Sequence, residues 1–274
     1  MIPALFTHVP VTTVKEASDA LKHYGDDAKL LAGGHSLIPL MKLRLATPEV
    51  LIDIARISDL RGIREDKDKL VVGALTTHEQ IENSPLINKY APLIGAAAKL
   101  VGDPQVRNRG TIGGSVAHGD AASDLSVALF AANASFIATG PNGVREISAV
   151  DFFLGFWTTA LNQNDVLTEI HIPFAQAPNW SYQKFTSRSQ DWAVVSVAVS
   201  GSSIILGAMG EVPLRAAKCE EAIASGADLE QAANFADEGT SPSSDTRASA
   251  DYRRHLAKVL VFDALTEAKH RSVH

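Results

Sequence analysis

Along the first 54 residues the apolar positions switch repeatedly between helical and strand spacing. In "TTVKEASDALKHYG", Val14, Ala17, Leu21 and Tyr24 recur at helical intervals, and Thr13 with Glu16 offers a capping box. Gly25 predicts the end of that helix. "KLLAGG" then reads as a strand, "SLIPLMKLRL" as a short helix with Ser36 as N-cap, and "EVLIDI" as a second strand. Pro39 is tolerable there because first-turn amides lack helical partners. The pattern predicts a compact α+β unit over residues 1–54.

A second unit is predicted over residues 55–175. "KLVVGALTTHEQI" is a strand entering a capped helix, and "PLINKYAPLIGAAAKLVG" is an Ala-rich helical stretch broken at Pro92. In "RNRGTIGGSVAHGDAASDLSVALFAAN", Gly110, Gly113, Gly114 and Gly119 form a small-residue loop that feeds a helix with Ser123 as N-cap. "ASFIAT" and "VLTEIHIP" read as strands. The pattern lapses around residues 173–180. Residues 176–274 then predict a separate α+β lobe, with antiparallel strands in "WSYQKFTSRSQDWAVVSVAVSGSSIILGAMG" and helices in "RAAKCEEAIAS" and "DYRRHLAKVLVFDALTEAKHR". "DEGTSPSSDTRASA" is polar enough for an exposed loop. No repeat at a solenoid period is visible.

The 274 residues, 46% of them hydrophobic, suffice for these units. A net charge of −6 argues against nucleic acid as a partner, because phosphate neutralisation needs clustered Lys and Arg. Cys219 is the single cysteine, which excludes an intrachain disulfide and an iron–sulfur cluster held by cysteines of this chain. A reducing cytoplasm fits that count, and neither a basic-then-apolar leader nor a membrane-length apolar run is visible.

Neither G-x-G-x-x-G nor G-x-x-x-x-G-K-[ST] occurs, so the commonest phosphate cradles are absent. Instead two small-residue loops, Ala32 to Ser36 and Thr111 to Ser115, each precede a helical segment and offer amides and hydroxyls. Either loop alone is also accounted for as a turn. Together they suit one extended diphosphate. Asp124, just beyond the second loop, suits a ribose hydroxyl or serves as a favourable charge at a helix start. His35 and His118 lie in the loops without metal-ligand spacing, and no nucleophile elbow accompanies any serine. Cys219 sits in an amphipathic segment and reads as packing. In "KFTSRSQDW", Lys184, Arg188 and Asp191 beside Phe185 and Trp192 read as a solvated hairpin edge or as the border of a flat ring system.

At "AGGHSLIPLMKLR" and "RNRGTIGGSVAHGDAASDL" the chain resembles the medium, flavin-binding subunits of the molybdenum hydroxylases, with the carbon monoxide dehydrogenase type nearest. The resemblance spans essentially the whole chain. It implies a two-part FAD-binding domain of the vanillyl-alcohol-oxidase (PCMH) type, divided as 1–54 and 55–175, followed by a C-terminal α+β domain of the medium subunit over 176–274. It further implies that Ala32, Gly33, Gly34, His35, Ser36 and Leu37 cradle the FAD diphosphate with Thr111, Ile112, Gly113, Gly114, Ser115 and Ala117. By the same likeness Asp124 would hold the ribose, and Leu167 and Lys184 would lie near the flavin. Molybdenum–pterin would sit on a large partner subunit and [2Fe–2S] clusters on a small one, the whole forming a dimer of heterotrimers. Electrons would leave through FAD to an external acceptor such as a quinone, and no catalytic acid, base or metal ligand is expected on this chain. The location would be cytoplasmic, at the inner face of the membrane only through the complex.

Two alternatives stand beside that expectation. One is the medium subunit of a different hydroxylase, acting on an aldehyde, an N-heterocycle or an aromatic acyl-CoA. The other is a self-contained flavin oxidoreductase, against which the third lobe of about 100 residues leaves little room for a substrate cap.

Overall fold

The computed structural model describes residues 2–175 and 178–272. Residues 176 and 177, inside the stretch where the pattern lapses and at the expected boundary, lie outside the described residues.

The first unit is a three-stranded parallel sheet with Val50–Asp53 in the centre, flanked by Thr7–Pro10 and Ala28–Leu31. The helix Val14–Tyr24 forms as expected, because both halves of the Thr13/Glu16 capping box are made and Gly25 takes φ 60° at its end. Its core of Ala17, Leu21, Ile52 and Ile54 runs on past Ile54 to Ile57, Leu60, Leu75 and Val166. The first two units therefore share a continuous apolar seam.

The second unit carries a five-stranded antiparallel sheet in the order Ile63–Asp66, Lys69–Gly73, Val166–Pro173, Ser135–Gly140, Gly143–Ser148. The Ala-rich stretch is two helices, Pro85–Tyr90 and Pro92–Lys99, divided at Ala91 as Pro92 requires. Several short elements went unread in the sequence. Among them are the strands Thr7–Pro10, Ile63–Asp66 and Gly143–Ser148 and the helices Pro104–Arg109 and Leu229–Ala233, the two helices depending on Asp103 and Asp228 as caps.

The third unit is a four-stranded antiparallel sheet, Trp180–Phe185, Val195–Ser200, Ser203–Gly207 and Leu214–Arg215, under the 22-residue helix Ala250–Arg271. Strand alternation gives this sheet two apolar faces. Val197, Val199, Ile204 and Leu206 pack with Leu256, Leu260 and Val261 of the helix. The opposite face sends Tyr182, Ala198 and Ile205 into the core of the second unit. One face of this sheet therefore completes its neighbour's core.

A charged cluster fastens that join. The helix Asp124–Ala131, buried over its whole length, begins at Asp124. The Asp124 carboxylate accepts from Lys184 Nζ at 2.8 Å and from the Tyr182 hydroxyl at 2.7 Å, and Lys184 Nζ also donates to the Leu100 carbonyl at 2.9 Å. Both charged side chains are about 95% buried, so each depends on the other. Burial pushes the Asp124 carboxyl above its ordinary range, against the pull of Lys184 and Tyr182.

Truncating one partner strands the other charge. Lys184→Met is expected to cost about 3–5 kcal/mol, read by denaturant unfolding, whereas Asp124→Asn combined with Lys184→Met should recover a substantial part of that loss.

Candidate functional site

The strand Ala28–Leu31 runs out of the first sheet into Ala32, Gly33 and Gly34. Gly34 has φ +78°, a left-handed conformation that glycine adopts without strain. Gly33 is needed for a different reason. A Cβ on it would lie 2.1 Å from the Arg109 carbonyl oxygen, so the first loop touches the backbone of the second unit directly. The helix Leu37–Lys42 follows, and here an expectation fails: Ser36 precedes the helix but its side chain makes no capping bond. The backbone amides of Gly33, Gly34, His35 and Ser36 donate to no protein acceptor among the described residues.

The second glycine segment is built differently. It was expected as a loop rich in free amides, yet Gly113, Gly114 and Ser115 lie within the helix Ile112–His118, capped by Thr111. Its first-turn amides are all taken. Ile112 N–H donates to Thr76 O at 3.0 Å, Gly113 to Ala74 O at 2.9 Å, Gly114 to the Thr111 hydroxyl at 3.2 Å and Ser115 to Thr111 O at 3.0 Å. A Cβ on Gly113 would meet Ala74 Cβ at 2.5 Å, so this glycine seats the helix against the second sheet. What the segment still offers is side chains at the cavity, the hydroxyls of Thr111 and Ser115 and the ring of His118.

The two segments face each other across a cavity of about 360 Å³. Ala32, Gly33, Gly34, His35, Ser36 and Leu37 line one side, and Thr111, Gly113, Gly114, Ser115 and Ala117 line the other, with Leu167 also in the wall. Ile112 is fully buried behind that wall. Asp124 and Lys184 are not brought to the cavity; their charges are committed to one another. Of the "KFTSRSQDW" cluster only Trp192 reaches it, a residue 47% exposed.

His78 and Asp165 also line the cavity and were missed in the sequence. "TTHEQ" signalled only a capped helix, and that helix is present, His78–Glu82 with a full Thr77/Gln80 capping box. Asp165 is spent structurally, paired with Arg145 and accepting from the Asn162 amide at 2.9 Å. Burial, then the neighbouring His35 and Arg107, push His78 down to about 4. Cys219 lies in the third unit's core, where burial pushes its thiol up to about 12, in keeping with packing alone.

Unpaired amides facing a hydroxyl, with apolar walls and glycines that admit close approach, form a donor set suited to an extended anion carrying a flat apolar ring. Residues 5–175 match the family described as the FAD binding domain in molybdopterin dehydrogenase, and residues 180–268 match the CO dehydrogenase flavoprotein C-terminal domain. The chain belongs to this FAD-binding family. It is 42% identical to the carbon monoxide dehydrogenase medium chain of Hydrogenophaga pseudoflava, with 98% of each chain covered. It is 35% identical to the glyceraldehyde dehydrogenase medium chain of Sulfolobus acidocaldarius, covering 97% of this chain and 99% of that one. Among solved structures, carbon monoxide dehydrogenase from Hydrogenophaga pseudoflava superposes with a TM-score of 0.95 at 43% identity, covering 99% of this chain and 100% of that one. Quinoline 2-oxidoreductase from Pseudomonas putida 86 superposes at 0.93 and 30% identity, with both chains fully covered. The expected fold class, a two-part FAD-binding domain followed by a flavoprotein C-terminal domain, therefore holds. Among the described residues no helix is long and apolar enough to cross a membrane.

The neutral state of His78 has a pH signature. Its folded value near 4 lies below the ordinary 6.5, so between those values the unfolded chain binds the proton more readily. The stability from keeping this ring neutral is fully present above pH 6.5 and is lost as pH falls toward 4. The wild type should therefore lose up to about 1.4 kcal/mol per pH unit through that window relative to His78→Gln, measured as denaturant midpoints across the pH range.

Proposed function

We propose that this chain is the FAD-carrying medium subunit of a carbon monoxide dehydrogenase complex. In it, electrons released by CO + H2O → CO2 + 2H+ + 2e− reach the flavin from [2Fe–2S] clusters on a small partner subunit. The oxidation itself belongs to a molybdenum–pterin centre on a large subunit, the assembly is a dimer of heterotrimers, and the final acceptor is an external carrier such as a quinone. Any association with the inner face of a membrane comes through the complex.

The observation that carries the reading is the cradle: four amides without protein acceptors opposite the Ser115 hydroxyl, in a chain that aligns end to end with carbon monoxide dehydrogenase medium chains. When bound, FAD would take up electrons singly or in pairs and pass them on. The protein's part is to hold and orient. Gly33, Gly34, His35 and Ser36 direct N–H groups at the diphosphate, and Thr111, Gly113 and Gly114 shape the facing wall closely enough for Ser115 to reach it. Leu37, Ala117 and Leu167 supply apolar surface, and Trp192 sets an aromatic face at the mouth. Asp124, Lys184 and Ile112 support this wall from behind. No side chain of this chain is needed as an acid or base for the oxidation.

A second reading rests on the 35% identity to a glyceraldehyde dehydrogenase medium chain. The substrate is met on another polypeptide, so the same cradle would serve an aldehyde or N-heterocycle hydroxylase equally.

The complex isolated through this chain should contain flavin, molybdenum and iron, and carbon monoxide should bleach its flavin absorption. All three groups present without a response to carbon monoxide moves the substrate to another hydroxylase; flavin alone on a lone chain, reduced by an organic substrate, sinks the subunit reading. Gly33→Ala should remove the flavin band, because its methyl would fall on the Arg109 carbonyl and spread the two loops. Full flavin content in that variant would refute the site.

A further inference from the structure

Ser115 lies in the helical glycine segment with a hydroxyl still able to donate, and that hydroxyl faces a histidine. His78 Nε2 lies 3.3 Å from Ser115 Oγ. The ring is 2% exposed, forms part of the cavity wall, and carries a buried Nδ1 without a partner. Its position is fixed from two sides. The His78 amide donates to Gly110 O at 3.1 Å, and Gly110 itself leaves the space, since a Cβ there would lie 2.8 Å from the ring's Cδ2 and Nε2.

A neutral imidazole carries one proton, on one nitrogen or the other. On Nδ1, the proton would be stranded in a buried site with no acceptor among the described residues, and Nε2 would draw the Ser115 hydrogen back toward the ring. On Nε2, the ring donates to Ser115 Oγ and only a lone pair is left unpartnered. An orphaned buried N–H is the rarer and costlier of the two. The Nε2–H form leaves the Ser115 hydrogen free to turn into the cavity, toward the amides of Gly33 to Ser36. Those amides point donors at the same space, so an anion seated there meets donors from both sides.

We propose that His78 is a positioning residue which holds the Ser115 hydroxyl as a hydrogen-bond donor toward the FAD diphosphate. The inference rests on the FAD reading of this cavity. The device explains why a buried ring nitrogen is left unpaired in the cavity wall: the histidine sets the polarity of the Ser115 hydroxyl.

The test is a double-mutant cycle on the full chain, with FAD affinity measured by flavin fluorescence titration at pH 7.5. His78→Phe should weaken FAD binding about tenfold when Ser115 is present. In a Ser115→Ala background the same change should cost less than about twofold, and His78→Gln, which keeps an N–H at similar reach, should stay within about threefold of wild type. Nitrogen-15 spectra of the histidine-labelled wild-type chain read the tautomer without any substitution, and Nε2–H is expected. Equal losses from His78→Phe in both backgrounds, no loss at all, or an Nδ1–H ring would overturn the proposal while leaving the FAD reading intact. A folded wild-type chain that takes up no FAD would overturn that reading and the proposal together.

Discussion

Everything at the cavity depends on a contact in which no side chain takes part, the approach of Gly33 to the carbonyl of Arg109. With a projected Cβ distance of 2.1 Å, this junction has no room for a methyl group. It joins the end of the first unit's strand to the turn that precedes the helix Ile112–His118, and so fixes the distance between two segments 78 positions apart, counted from Gly33 to Thr111. Packed backbones of this kind have few alternative arrangements. The amides of the first loop stay at the cavity wall for that reason, although no acceptor among the described residues bonds to them.

The two glycine segments look alike in sequence and divide the work unequally. In the first, glycine supplies a left-handed turn at Gly34 and leaves four donors unspent. In the second, Gly113 lets the helix sit on Ala74 and the amides are spent on Thr76, Ala74 and Thr111. Polar groups buried by packing have to be satisfied somewhere, so a segment pressed onto a sheet cannot also present its amides to a ligand. The side that packs is thereby left with side-chain donors, and in the proposed arrangement the neutral buried His78 directs one of them, the Ser115 hydroxyl.

Legibility followed sequence distance. The helix Val14–Tyr24, the break at Pro92 and the strands of the third unit could be read because capping boxes, proline and alternation act over a few residues. The positions of the two small-residue segments were also visible. What they do was not, since the partners of Ile112 and Gly113 lie just past the strand Lys69–Gly73, some 36 to 39 residues earlier in the chain. Asp124 shows the same limit more sharply. A carboxylate at a helix start next to a glycine segment reads as a ligand group, but its cation, Lys184, comes from a strand 60 residues later and claims it. His78 was hidden inside a correct local reading, because "TTHEQ" accounts for a capped helix without any reference to the ring.

The charge distribution of the wall ties these observations together. Lys29 is the single Lys or Arg among the lining residues, while Asp165 is paired with Arg145 and His78 is held neutral. An anion seated here is met mainly by backbone dipoles and neutral side-chain donors, which act only at hydrogen-bond range and in a fixed geometry. Attraction by mobile surface charges would tolerate small displacements of the loops and would weaken with salt. A cradle of dipoles does the reverse: salt screens it little, and a few tenths of an ångström of spreading disables it. Retention of the cofactor therefore becomes a measure of how closely the first two units are packed. The third unit contributes to that packing from outside, through the sheet face that carries Tyr182, Ala198 and Ile205 into the second unit's core.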